Sequence, residues 1–142
     1  FALTMTVGIA LAVLLLELTG LVAGGIIVPA YVSVILFSPA SLAVLLAMAL
    51  AALFVLRLIA RAIPLYGARR YGLSVLFGGL LNAGAQNLLA PQALPIEWAA
   101  FGFLVPGLMA YHFDRQGILR TVLMIAIAAP LVRTAVLLLS LL

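Results

Sequence analysis

The run from Leu42 to Leu56 carries no polar side chain, no glycine and no proline. A helix on the surface of a soluble domain keeps a hydrated stripe, and one that is apolar all round needs a large protein core or lipid around it. A chain of 142 residues cannot build a core wide enough to surround such a helix. Composition agrees: 68% of residues are hydrophobic, 7% are charged, and mean hydropathy is +1.44. Soluble domains carry about a quarter of their residues charged. A soluble enzyme, a disordered chain and a nucleic-acid-binding module are therefore excluded, and an all-α integral membrane protein is expected.

Six apolar segments are expected, over residues 1–16, 21–37, 41–60, 71–90, 96–113 and 118–142. They read as helices, because open strands leave backbone groups unsatisfied in lipid, and the period-2 alternation of a membrane barrel is absent. Apolar segments continue to the end of the chain, so no cleavable signal peptide stands out. All seven basic residues are arginine, giving a net charge of +4. Arg57, Arg61, Arg69 and Arg70 cluster between segments three and four, and Arg115 and Arg120 flank the turn between five and six. Arginine-rich connections stay in the cytoplasm. Both chain ends then fall outside, with Glu17 at the inner face and the stretch 87–95 and Glu97 at the outer face of a multi-pass protein of the bacterial inner membrane.

One internal repeat is visible. Gly25-Ile26-Ile27-Val28-Pro29-Ala30-Tyr31 matches Gly102-Phe103-Leu104-Val105-Pro106-Gly107-Leu108 at an offset of 77 (25 to 102). Weaker matches at the same offset pair Leu42 with Leu119, Ala52 with Ala129 and Val55 with Val132. Three spans per copy is an odd number, so the second copy is inverted. The expectation is a single polytopic domain of two inverted three-helix repeats, about 1–65 and about 66–142. Glycine and proline in equivalent places are the layout of transporter folds with broken helices. Gly25, Pro29, Gly102, Pro106 and Gly107 form that broken-helix motif here. Each glycine alone also suits close helix packing.

The chemical inventory is short. Cysteine is absent, His112 is the one histidine, and Glu17, Glu97 and Asp114 are the only acids. No metal site, cofactor or catalytic residue is expected. A Gly-x-Ser-x-Gly elbow is missing, and without lysine there is no phosphate loop. Asp114, two residues from His112, reads as a capped helix end. Glu17 and Glu97 each precede a broken segment. Glu17 with Arg57 or Arg61, and Glu97 with Arg133, would give two pseudo-symmetric ion pairs. Tyr66-Gly67-Ala68-Arg69-Arg70-Tyr71 forms a basic, aromatic patch at the inner face. Such patches bind lipid headgroups, or dock an acidic polymer or a partner protein.

These motifs occur in one order: Glu17-Leu18-Thr19-Gly20, the first Val-Pro copy, Tyr66-Gly67-Ala68-Arg69-Arg70, Glu97, the second Val-Pro copy, and Gln116-Gly117. The series resembles the PgsC/CapC family, the small membrane subunit of bacterial poly-γ-glutamate synthase. Ala30 departs from a more usual glycine, and Arg133 is unusual for its helix. The resemblance implies a synthesis and export complex. A PgsB/CapB-like ATP-dependent ligase would activate glutamate, and a PgsA/CapA-like subunit would act outside. The chain itself would be non-catalytic alone and help the polyanion cross, with Glu17, Tyr66, Arg69, Arg70 and Glu97 as candidate polymer- or partner-binding residues. A homo-oligomer is expected, because one copy has too few helices to enclose a wide polar path. Asn82, Gln86 and Asn87 would then be covered by other chains. The alternatives are a secondary transporter of a small anion and a passive membrane anchor for a cytoplasmic enzyme.

Overall fold

Glycine and proline decide where the apolar chain is helical. The computed structural model describes residues 2–64, 66–88 and 102–142, with side chains in the fourth helix described as far as 84. Among these residues are six helices: α1 (Ala2–Thr19), α2 (Val28–Ile35), α3 (Pro39–Ala62), α4 (Ala68–Leu88), α5 (Val105–Gln116) and α6 (Ile118–Ser140). Helices α1, α3 and α6 are long and apolar enough to cross a membrane, which is consistent with a membrane protein.

Segment two departs from its expected length. Only Val28–Ile35 is helical, about 12 Å at 1.5 Å per residue and too short to span a bilayer. The cause lies just before it. Gly20, Gly24 and Gly25 have φ of 69°, 74° and 129°, values that side-chain-bearing residues avoid. Gly20 ends α1, its N–H donating to the Leu16 carbonyl at 2.7 Å. Pro29 then sits in the first turn of α2, where a missing N–H costs nothing. Segment five shares the proline position, with Pro106 in the first turn of α5, but Gly102 has no positive φ. Gly117, at φ 97°, separates α5 from α6.

The long helices pack across the molecule. α3 lies against α4 and α5, and α6 lies against α1 and α2. Leu45, Met48, Ala49, Ala52, Leu53 and Leu56 are the buried face of α3. Thr121, Met124, Ile125, Ala128, Ala129 and Val132 are that of α6. Each residue of the first set lies 76 positions before its counterpart in the second, from 45 and 121 to 56 and 132. The faces therefore align one residue away from the offset of 77 expected for the alanine pairs.

Small residues set the closest approaches. A Cβ placed on Gly8 would stand 2.5 Å from the Ala30 Cβ, and one on Gly78 would run into the Gly107 backbone. A Cβ on Gly107 would meet the Ser74 carbonyl at 2.6 Å. The buried Ser74 hydroxyl donates to the Gly107 carbonyl at 2.7 Å. α4 and α5 thus cross backbone against backbone, the arrangement that replaces hydrophobic driving force between helices in lipid. Gly107→Val should cost about 1–3 kcal/mol by overpacking, whereas Gly72→Ala, with open space around it, should be neutral. Thermal unfolding of the two variants in one detergent checks this ranking.

Candidate functional site: an arginine–tyrosine cleft

The ends of three helices converge on one carboxylate. Arg57 lies in the last turns of α3, Arg70 in the first turn of α4, and Asp114 in the last turn of α5. Asp114 Oδ2 is 2.5 Å from Arg70 Nη2, and Oδ1 is 3.5 Å from Arg57 Nε. The aspartate side chain is only 10% exposed, against 29% for Arg70 and 56% for Arg57. Asp114 is therefore held inside and its arginines reach in from the rim.

Beside this cluster lies a cleft of about 450 Å³, lined by Tyr66, Gly67, Arg70, Tyr111, Asp114 and Arg115. Tyr111 organises its far wall. Its ring meets Tyr71 edge-on at 5.1 Å, Arg115 stands 5.7 Å over it, and Arg115 Nη1 donates to its hydroxyl at 3.1 Å. Tyr66, 81% exposed, also lines the cleft. Gln116 ties the region to the first half. Its amide nitrogen donates to the Val22 carbonyl, and its amide oxygen accepts from Val22 N–H at 3.1 Å. The irregular stretch before α2 is thereby fixed to the end of α5.

Three arginines against one carboxylate leave this end net positive. Guanidinium forks beside tyrosines suit reversible contact with carboxylates, through paired hydrogen bonds. Among the described residues no group of histidines or carboxylates could hold a metal.

The expected site residues separate. Tyr66 and Arg70 line the cleft. Arg69 is exposed and points elsewhere, because adjacent positions on a helix differ by about 100°. Arg70 is engaged by Asp114 rather than held loosely beside Arg69. Glu17 is exposed and takes no part in either ion pair of Arg57 or Arg70. The expected pairing of Glu17 with Arg57 or Arg61 is not among the ion pairs of the described residues, and Arg57 meets Asp114 instead, since α3 packs on α5. Glu97 and the stretch 89–95 lie outside the described residues, as do the side chains of Gln86 and Asn87. Asp114 and Arg115 were missed as site residues. An acid among arginines on the arginine-rich side was the available signal, but their convergence needed the packing of three helices.

The broken-helix residues lie together in the middle of the molecule. Pro29 and Pro106 are fully buried. A Cβ on Gly25 would be 3.6 Å from the Leu108 Cβ, and one on Gly102 would be 2.7 Å from the Tyr31 hydroxyl. They serve here as contact points between α2 and α5 and their flanking turns.

Comparison with known proteins bears on what this arrangement serves. The family described as "Capsule biosynthesis CapC" matches residues 7–122. "PGA biosynthesis protein CapC" of Bacillus subtilis (strain 168) is 29% identical over 118 residues, covering 80% of this chain and 78% of that protein. "Capsule biosynthesis protein CapC" of Bacillus anthracis is 26% identical over 125 residues, covering 83% and 80%. No solved structure matches.

Asp114→Asn should lower stability by about 1.5–3 kcal/mol, the scale of hydrogen bonds to charged groups. Arg57→Gln should cost under about 1 kcal/mol, because that pair is exposed. Unfolding of both variants in detergent checks the order.

Proposed function

This chain belongs to the CapC family of capsule biosynthesis proteins, and from that premise we propose that it is the membrane subunit of a poly-γ-glutamate synthesis and export complex. The observation that carries the reading is the cleft, where Arg70, Arg115, Tyr66 and Tyr111 surround a single carboxylate. A polymer with one carboxylate per residue needs positive groups at its entry, and exposed arginine pairs worth about 0.2–1 kcal/mol each release it again. The residue inventory offers no machinery for activating glutamate, so an ATP-dependent ligase of the PgsB/CapB kind supplies that step. It docks at the arginine-rich end, where Arg69 and Tyr66 are exposed. A PgsA/CapA-like subunit works on the other side.

The arginine-rich end lies in the cytoplasm of a multi-pass protein in the bacterial cell membrane, by the bias of arginine to inner loops. The frame is two inverted three-helix repeats. Several contacts support this. Gly25 meets Leu108 as Gly102 meets Tyr31, and both pairs exchange at an offset of 77. Ala30 rests on Gly8 as Gly107 rests on Gly78, with the first members 77 positions apart and the second 70. The buried faces of α3 and α6 repeat at 76. A homo-oligomer is part of the proposal. It rests on one copy having too few helices to enclose a wide polar path.

Exchanging Arg115 for glutamine, while leaving the Arg70–Asp114 pair intact, should reduce polymer yield by roughly 1.4- to 5-fold, the scale of one exposed pair. Membrane abundance should fall less. Recovery of the ligase with the complex, measured alongside, separates polymer contact from docking. Normal yield with normal recovery would withdraw the cleft as a polymer site. A cysteine introduced at position 69, in a chain with no other cysteine, should resist impermeant thiol reagents on intact cells. Labelling from outside would overturn the orientation.

A further inference from the structure

Arg133 lies near the opposite end of the molecule from the cleft. α3 connects the two ends. It begins at Pro39, next to Phe37, and carries Arg57 18 positions later, roughly 27 Å away at 1.5 Å per residue. The Arg133 guanidinium lies 5.5 Å over the Phe37 ring. Its Nε is buried and has no hydrogen-bond partner among the described residues. Phe37 itself is 76% exposed, so the position is open on the ring side.

The two ends correspond. Arg133 is 76 positions after Arg57, the spacing at which the buried faces of α3 and α6 align. Phe37 is 77 positions before Asp114, the spacing of the two Val-Pro copies. The Arg133–Phe37 contact is thus the counterpart of the Arg57–Asp114 contact, with a ring where the other end has a carboxylate. An aromatic face attracts the face of a guanidinium. It accepts none of the five N–H donors along the edge. An ionisable group within an apolar helix calls for a specific partner. Among the described residues neither acid stands at this end, since Asp114 is in the cleft and Glu17 closes α1, whose following turn is tied to the end of α5.

We infer that Arg133, seated on Phe37, is an oxyanion-binding station. Its ligand is a carboxylate or phosphate group that lies in the guanidinium plane and takes the edge N–H donors two at a time, as planar carboxylates do. The ring covers one face of the guanidinium and accepts none of its N–H donors. Two sources share this chemistry: a carboxylate of an acidic polymer leaving the membrane, and the phosphate of a lipid headgroup. The station needs only an oxyanion and stands whether or not the cleft binds polymer.

The test uses the whole protein in maltoside detergent, free of phosphate, with arginine Nε–H groups observed by nitrogen-15 NMR. The Arg133 signal is assigned by its loss in Arg133→Gln. A γ-linked glutamate pentapeptide and a short-chain phosphatidylglycerol are titrated separately. A shift of the Arg133 signal with the pentapeptide supports the station with polymer as its source. A shift with the phospholipid alone supports it with lipid as its source. In either case Arg133→Gln should bind that ligand roughly tenfold or more weakly, the scale of charge-assisted hydrogen bonds, and Arg120→Gln should leave the response unchanged. Absence of a shift with both ligands overturns the station. So does a shift of the signal on Glu97→Gln without ligand, which would mean that Glu97 already occupies the guanidinium edge.

Discussion

Backbone-to-backbone approach at small residues holds the rest of the structure in place. α2 and α5 are too short to gain much from propensity, and helices of such length are marginal alone. They persist because glycine and alanine let neighbouring helices close on them. Gly8 admits Ala30, and Gly78 admits Gly107. Ser74 then satisfies the Gly107 carbonyl across the contact. A methyl group at Gly78 would separate α4 from α5, and α5 carries Asp114, Arg115 and Tyr111. The charged cleft therefore depends on a glycine crossing two helical turns away from it.

Electrostatics follows from that packing. Asp114 is largely covered, and a carboxylate in such a place is expensive unless it is paired and hydrogen-bonded. Arg57 and Arg70 supply the pairing from two other helices. The cluster serves as a clamp among α3, α4 and α5, and Arg115, which meets no carboxylate among the described residues, lies on Tyr111 at the cleft wall. On the far side the corresponding arginine finds an aromatic ring.

Much of the fold was legible in the sequence, for physical reasons tied to particular residues. Uncharged runs such as Leu42 to Leu56 can only be long buried or lipid-facing helices. Gly20, Gly24 and Gly25, followed by Pro29, announce a break, because left-handed backbone and a missing N–H both stop a helix. The length of α2 was overestimated, since hydropathy is blind to backbone conformation and residues 21–27 are as apolar as a helix. The one-residue change of register between the Val-Pro copies and the long helices was also hidden, because alanine-rich stretches match at several offsets. Tyr66 and Arg70 were legible as a basic, aromatic patch, but the difference between Arg69 and Arg70 was not. That depends on which way a helix is turned against its neighbour.

Composition and periodicity alone determined that the chain is helical and apolar enough for a membrane, that most of its arginines cluster around two connections, and that its halves share a glycine–proline signature. Those properties are local, set by side-chain transfer energies and backbone sterics within a few residues. Tertiary structure alone decided which acid meets which arginine. Asp114 lies 57 residues from Arg57 and 44 from Arg70 along the chain, and Glu17 was an equally good partner on charge alone. Charge attraction is long-ranged and unselective in sequence. The selection came from the short-ranged steric fit of α5 between α3 and α4, which places one carboxylate, and not another, within hydrogen-bonding distance.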